Sequence, residues 1–232
     1  MGIDIFYKEL SPKALLLCDK TKADLGRAIH LYSDFNPDKD ARITSFVKLI
    51  NVFNSLLLTF VFARNGIDEG DWRESIGGEE FGLWIQNFDD FVKIGYIHNI
   101  SLVIESSFRI FLRAIDPKAC VRGMSEFKSI YECLFNSKLA ESPAEGIKLL
   151  NFLRLIKNTF HNNGVYFHQS GVNTTINWKG QIYEFKQGEP VDFVTWDFVL
   201  NLSDALRILL RKVVEDQNLK SIKKEITESF HY

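Results

Sequence analysis

The sequence predicts a mainly α protein, a helical bundle with a small antiparallel β meander inserted before its last long helix. Three observations carry that expectation. Apolar residues recur at helical spacing over most of the 232 positions. The period drops from that of a helix to that of a strand only between about residues 165 and 188. No strand–helix–strand alternation occurs, which disfavours a doubly wound nucleotide fold.

Ser11 and Pro12 open a first helical segment leading into Ala14–Cys18, because proline is pre-organised for the first turn. A second segment is expected from about Asp24 to Tyr32, stopping before Asn36-Pro37. From Ala41 to Arg64 the positions Ile43, Phe46, Val47, Ile50, Phe53, Leu57, Phe60 and Val61 share a helical face. Asn65-Gly66 supplies a left-handed stop. Ile67–Gly78, with Trp72 and a Gly77-Gly78 pair, reads as a loop. Phe81–Ile115 is helical again, as one helix or as two meeting near Gly95, and Asp116-Pro117 ends it. A further helix is expected from about Val121 to Asn136. Ser142-Pro143-Ala144-Glu145 reads as a capping box opening a helix that runs to His161 and stops at Asn162-Asn163-Gly164.

Short strands follow at Val165–His168, Thr174–Trp178 and Gln181–Lys186. Turns at Ser170-Gly171, Lys179-Gly180 and Gln187-Gly188 separate them. Thr195–Val214 is a long amphipathic helix presenting Phe198, Val199, Leu202, Leu206, Leu209 and Leu210 on one side. The charged tail from Leu219 is expected to lie on the surface. The organisation predicted is residues 1–79 as an N-terminal helical layer and 80–232 as the main helical domain, with the β insertion at about 165–188. Together they form one compact unit.

Composition narrows the class. Apolar residues make up 46% and charged residues 25%, values that exclude a disordered or collagen-like chain. Twenty-eight basic and 30 acidic side chains leave a net charge of -2, so non-specific nucleic-acid binding through overall charge is not expected. Cys18, Cys120 and Cys133 form no CxxC pair and no disulfide framework, which points to reduced cysteines and a cytoplasmic protein. Met1–Phe6 lacks the basic and apolar regions of a signal peptide. Leu49–Ala63 is uncharged but shorter than the ~18 residues a span needs, so a buried core helix, not a membrane segment, is expected.

Phosphate-cradling, dinucleotide, zincin and nucleophile-elbow motifs are all absent. No metal and no cofactor is expected, since acids and histidines at ligand spacing are missing. Asp38-Lys39-Asp40 and Asp89-Asp90 read as solvated helix ends. The exception is Arg154–Gly164. On a helix Arg154, Asn158 and His161 fall at i, i+4 and i+7 and share one face, with Lys157 just off that stripe. Leu149, Leu150, Leu153, Ile156 and Phe160 occupy the other side. An imidazole, with an ordinary pKa near ~6.5, can take or give a proton at neutral pH. A guanidinium can clamp a phosphate by two parallel hydrogen bonds. Asn158 could orient the imidazole or bind a ribose hydroxyl. Arg154, Asn158 and His161 are therefore candidate catalytic residues, and Lys157, Asn162 and Asn163 candidate RNA contacts. The chemistry suited to them is RNA cleavage with the 2′-hydroxyl as nucleophile, which needs no metal.

Arg154–Gly164 resembles the Rx4–6H motif of the HEPN superfamily, helical proteins that include prokaryotic toxins, antiphage effectors and RNA-processing ribonucleases. Arg154 and His161 bracket six residues. The stretch Ile104–Arg113 resembles the acidic and basic helix that packs beside the motif in several members. The resemblance implies an HEPN-like helical core over about residues 80–215, RNA as substrate, a homodimer formed through the motif helix, and metal-independent endoribonuclease activity. In a toxin setting it implies an antitoxin or regulatory partner. Leu155 stands where members usually carry a polar residue, and Lys157 where the closer frame carries arginine; lysine is the poorer bidentate clamp. These departures favour the alternative, a non-catalytic HEPN-like module that binds RNA, a nucleotide or a protein.

Simpler roles stand beside these. A histidine in a last helical turn can merely complement the dipole and cap carbonyls. His98 reads as structural, His30 and His231 have no evident partner, and His168, seven residues beyond His161 on an expected strand, could fold back towards the site, though chance explains its position better. Tyr166, Trp178, Tyr183 and Phe185 could stack bases, but aromatics in short strands are expected to pack on a helix.

Overall fold

The computed structural model describes residues 9–63, 66, 76–119 and 126–227. The readings that fall on Met1–Phe6, Arg64, Asn65, Trp72, Cys120, residues 121–125, Glu228 and His231 lie outside the described residues. The architecture is mainly helical: α1 Ser11–Leu31, α2 Ala41–Ala63, α3 Gly78–Ile115, α4 Phe127–Cys133, α5 Gly146–His161, β1 Thr174–Trp178, β2 Gln181–Phe185, α6 Trp196–Val214 and α7 Gln217–Lys220. One buried apolar cluster runs from Leu10 to Ile226, so the N-terminal helices and the rest share a core.

The two N-terminal segments expected from sequence are one helix. Pro12 sits in its first turn as predicted, but the polar run Asp19–Asp24 does not break it. Thr21 turns its hydroxyl back to the Leu17 carbonyl at 2.7 Å. Asp24, 2% exposed, pairs with Arg207 and with Arg211 at 3.4 Å across to α6. A charge that reads as a helix start is therefore a buried anion joining two helices.

α2 turns Phe46, Leu49, Phe53, Leu56 and Phe60 into the core and leaves Leu58, Val61 and Phe62 exposed. At 23 residues it is longer than the apolar stretch read from sequence, and is long and apolar enough to cross a membrane by length and composition. Asp40 and Arg42, at its start, are fully buried and joined in a two-pronged ion pair of 2.8 and 2.6 Å. The Arg42 guanidinium also lies 4.1 Å from the centre of the Tyr32 ring and donates to the carbonyls of Leu219, Ile222 and Lys224. Asp40 is thus no solvated helix end. The tail beyond α7 is likewise tied down, with Ile226 4% exposed and its carbonyl accepting from Ala41 N at 2.7 Å.

α3 is a single helix through Gly95. Its second half buries Tyr96, Ile97, Ile100, Ile104, Phe108, Phe111 and Leu112. Asp89 also departs from expectation: it accepts from Trp196 Nε1 at 2.6 Å and from Lys93 at 3.0 Å, fixing α3 to the start of α6. α4 passes into one π-helical turn, Leu134–Lys138.

α5 begins at Gly146, not at the predicted Pro143. Neither Ser142 nor Glu145 caps it. Pro143 instead accepts from Gly146 N at 2.8 Å in a turn, and Glu145 reaches Lys148 at 3.3 Å. Gly146 itself stands in a crowded place. A Cβ at Gly146 would lie 2.7 Å from Cδ1 of Phe135, which is buried, and 3.2 Å from Leu209 Cδ1. Gly146→Ala should therefore destabilise by about 1–3 kcal/mol through overpacking, against the gain in helix propensity. Urea unfolding showing equal or greater stability would refute it.

The three-stranded meander is corrected to a two-stranded hairpin. β1 and β2 pair antiparallel in the register Ile176↔Tyr183, closed by Lys179 and Gly180, both at positive φ as a two-residue turn requires. Val165–His168 does not join them. Tyr166 instead exchanges backbone hydrogen bonds with Glu189 and Gly188, because the Gly188 turn at φ 75° folds the chain back there. The hairpin lies on α5, where Phe152 meets the rings of Tyr183 at 5.0 Å, Phe198 at 5.4 Å and Trp178 at 5.7 Å. α6 starts as predicted, with the Thr195 side chain accepting from Phe198 N at 3.3 Å.

Candidate active site

The candidate site follows from how α5 divides its faces. Leu149, Leu150, Phe152, Leu153, Leu155 and Ile156 are buried, so the polar residues between them must face outward or lie at the seam with α3. Arg154 is half-buried, Lys157 sits at the seam, and Asn158 and His161 are exposed. The predicted stripe exists, and its members differ in what they touch.

Lys157 Nζ lies 3.6 Å from Glu105 on α3, and the same carboxylate accepts from Arg109 at 3.0 Å. One turn further along α5, the His161 ring stands edge-on to His98, with centroids 6.4 Å apart and planes at 84°. Residue 157 opposite 105 and 161 opposite 98 means that α3 and α5 run antiparallel. Both imidazoles are exposed. His98 is therefore no internal structural histidine. Its signal in the sequence is a second stripe, His98, Leu102, Glu105, Arg109 and Arg113, which falls within one helical face. The stripe becomes informative only once α3 lies beside α5.

Arg154 sits two turns, about 10 Å, behind His161. Its positive charge acts on the Tyr131 hydroxyl, which donates to Asn151 Oδ1 at 2.6 Å. Burial pushes the Tyr131 hydroxyl pKa up, and the Arg154 charge pulls it partly back. Nε of Arg154 is buried without a hydrogen-bond partner. The arginine thus lies on the α4 side of α5. Among the sequence candidates, the cation nearest the imidazole pair in chain order is Lys157.

Asn162 and Asn163 have a backbone role. Asn162 donates its side-chain amide to the Asn158 carbonyl at 3.2 Å, and Asn163 takes φ 54°. Gly164 N then closes on the Thr159 carbonyl at 2.9 Å, the helix stop that the sequence announced. His168 lies in the next turn, its Nδ1 2.6 Å from Ser170 Oγ. Tyr166, Trp178, Tyr183 and Phe185 are buried and pack on Phe152 and each other, so their faces are not open to bases. Among the described residues no group of three or more His, Cys, Asp or Glu side chains converges as metal ligands would.

The seam can thus present two exposed imidazoles 6.4 Å apart beside a lysine–glutamate–arginine chain. Two titratable rings on rigid helices can supply a proton acceptor and a proton donor to one reacting group. Comparison with known protein families, with curated proteins and with solved structures returned no match to this chain.

Proposed function

We propose that this chain is a metal-independent endoribonuclease of HEPN type, cutting RNA by attack of the 2′-hydroxyl on the adjacent phosphate. The observation that carries the reading is the exposed His98–His161 pair at the α3–α5 seam. One ring takes the 2′-hydroxyl proton as O2′ bonds to phosphorus. The other protonates O5′ as the P–O5′ bond breaks, leaving a 2′,3′-cyclic phosphate and a 5′-hydroxyl. Lys157 stabilises charge on the phosphoryl oxygens, Arg154 binds a neighbouring phosphate from two turns back, and Asn158 orients ribose or imidazole from the next turn. The homodimer expected through the motif helix would set two seams together, although a single chain already holds two imidazoles. A toxin or antiphage role with a regulatory partner belongs to the same proposal. So does a cytoplasmic location, which the free Cys18 and Cys133 support.

A second reading, an RNA-binding module that does not cut, is favoured by the Lys157–Glu105 pair, which occupies the cation one turn from His161.

The test is incubation of the purified chain with a mixed RNA pool in EDTA. Cyclic-phosphate ends are expected from the wild type, falling by at least about 100-fold in His161→Ala and in His98→Ala. Cleavage that survives His161→Ala would sink the nuclease reading. Binding without turnover would move the assignment to the module.

A further inference from the structure

A groove of about 980 Å³ opens along α3, floored by α3, bordered by α2 and closed by the tail. Its charged lining is Lys48, Arg109, Arg113 and Lys224 against Glu105 and Glu225. Glu105 is held by Arg109 and Lys157, and Glu225 accepts from Asn36 N at 3.2 Å. With four cations against two carboxylates, the lining carries an excess of positive charge on a chain whose net charge is -2. The groove is also continuous with the seam. Glu105 belongs to both, and Leu102, one turn from His98, lines it.

We propose that this groove carries the sugar–phosphate backbone of single-stranded RNA leading to or from the His98–His161 pair. The proposal deepens the reading above by naming where the strand runs, and it also holds for a module that binds without cutting. Charge complementarity selects the occupant. Arg109 and Arg113 one turn apart on α3, with Lys48 of α2 and Lys224 of the tail along the same groove, match a polyanion with repeated charges better than a single small anion. His98 and Arg113 are separated by about 22 Å along the helix axis, room for about six stacked nucleotides at 3.4 Å each. Leu102 and Ile110 add apolar surface along the floor, against which sugars and base edges can lie.

The test is fluorescence anisotropy with a labelled oligouridylate of about eight nucleotides, in EDTA, on the His161→Ala chain so that nothing is cut. Arg113→Ala/Lys224→Ala is expected to weaken binding about tenfold. The slope of log K against log salt should fall by about 1.4, two phosphate contacts at ~0.7 each. Lys128→Ala/Lys148→Ala removes the same charge from exposed sites outside the groove and should change neither quantity. Unchanged affinity and slope in the groove variant, or an equal loss in both double variants, overturns the proposal. No binding by the parent chain overturns it too. A wild type that binds through the groove but leaves the RNA pool intact defeats the nuclease reading and leaves the groove standing. Thermal melts of both double variants matching the parent exclude misfolding as the cause.

Discussion

Arg42→Ala is expected to destabilise the protein by about 3–5 kcal/mol, the cost of leaving a buried charge uncompensated. Asp40 is fully buried and has two contacts with the Arg42 guanidinium, supplemented by the backbone N–H groups of Arg42 and Ile226. Three carbonyls of the tail, at Leu219, Ile222 and Lys224, lose their donor in the same substitution. The tail should then detach, and hydrogen exchange at Ala41 and Ile226 should rise well above that of neighbouring amides. Arg42→Lys should not rescue, since an ammonium cannot reproduce the planar fork or its stacking between Tyr32 and Phe35. Asp40→Asn/Arg42→Met should cost less than Arg42→Ala alone, because it removes both charges together. The measurement is a urea transition read by midpoint at constant slope. A loss below about 1 kcal/mol for Arg42→Ala would show that the pair is solvated in solution.

Phe152→Ala should cost a similar amount, about 3–5 kcal/mol. Phe152 is fully buried and its ring meets those of Trp178, Tyr183, Phe185, Phe193 and Phe198 at 5.0 to 6.0 Å. A two-stranded hairpin is marginal alone in water, so its attachment to α5 through these rings is what orders it. The truncation should raise hydrogen exchange across β1 and β2 before it affects α1 or α2. Phe152→Leu, closer in volume, should cost under about 1.5 kcal/mol. A hairpin that keeps its protection in Phe152→Ala would show that the Tyr166 and Glu189 contacts suffice to hold it. Because Phe152 lies on the same helix as Lys157 and His161, any nuclease activity should decline along with hairpin order.

The catalytic candidates were legible on one helix and illegible on the other. Arg154, Asn158 and His161 announce themselves because their spacing is local, set by 3.6 residues per turn. His98 stands 63 positions earlier, in a segment whose apolar pattern reads as core. Its nearness to His161 depends on the antiparallel packing of α3 on α5. The same distinction explains Asp24, Asp40 and Asp89. Each stands where an exposed helix end is the ordinary expectation, and each is instead held by an arginine or a tryptophan distant in sequence or by a buried ion pair.

By itself the sequence determined the class of this protein and the features that one or two turns of chain can decide. The apolar period dictates the long helices. Thr195 caps α6, Lys179-Gly180 closes the hairpin, and Asn162-Asn163-Gly164 stops α5, because each needs only its neighbours' φ and ψ. Tertiary structure decided that residue 146 must lack a Cβ, since Phe135 and Leu209 crowd it. It decided that Val165–His168 pairs with residues 188–191, and that the tail closes over Arg42. It also set two histidines side by side and two cations against Glu105. Those outcomes turn on which buried surfaces meet, a matter of packing density and desolvation between residues far apart in the chain.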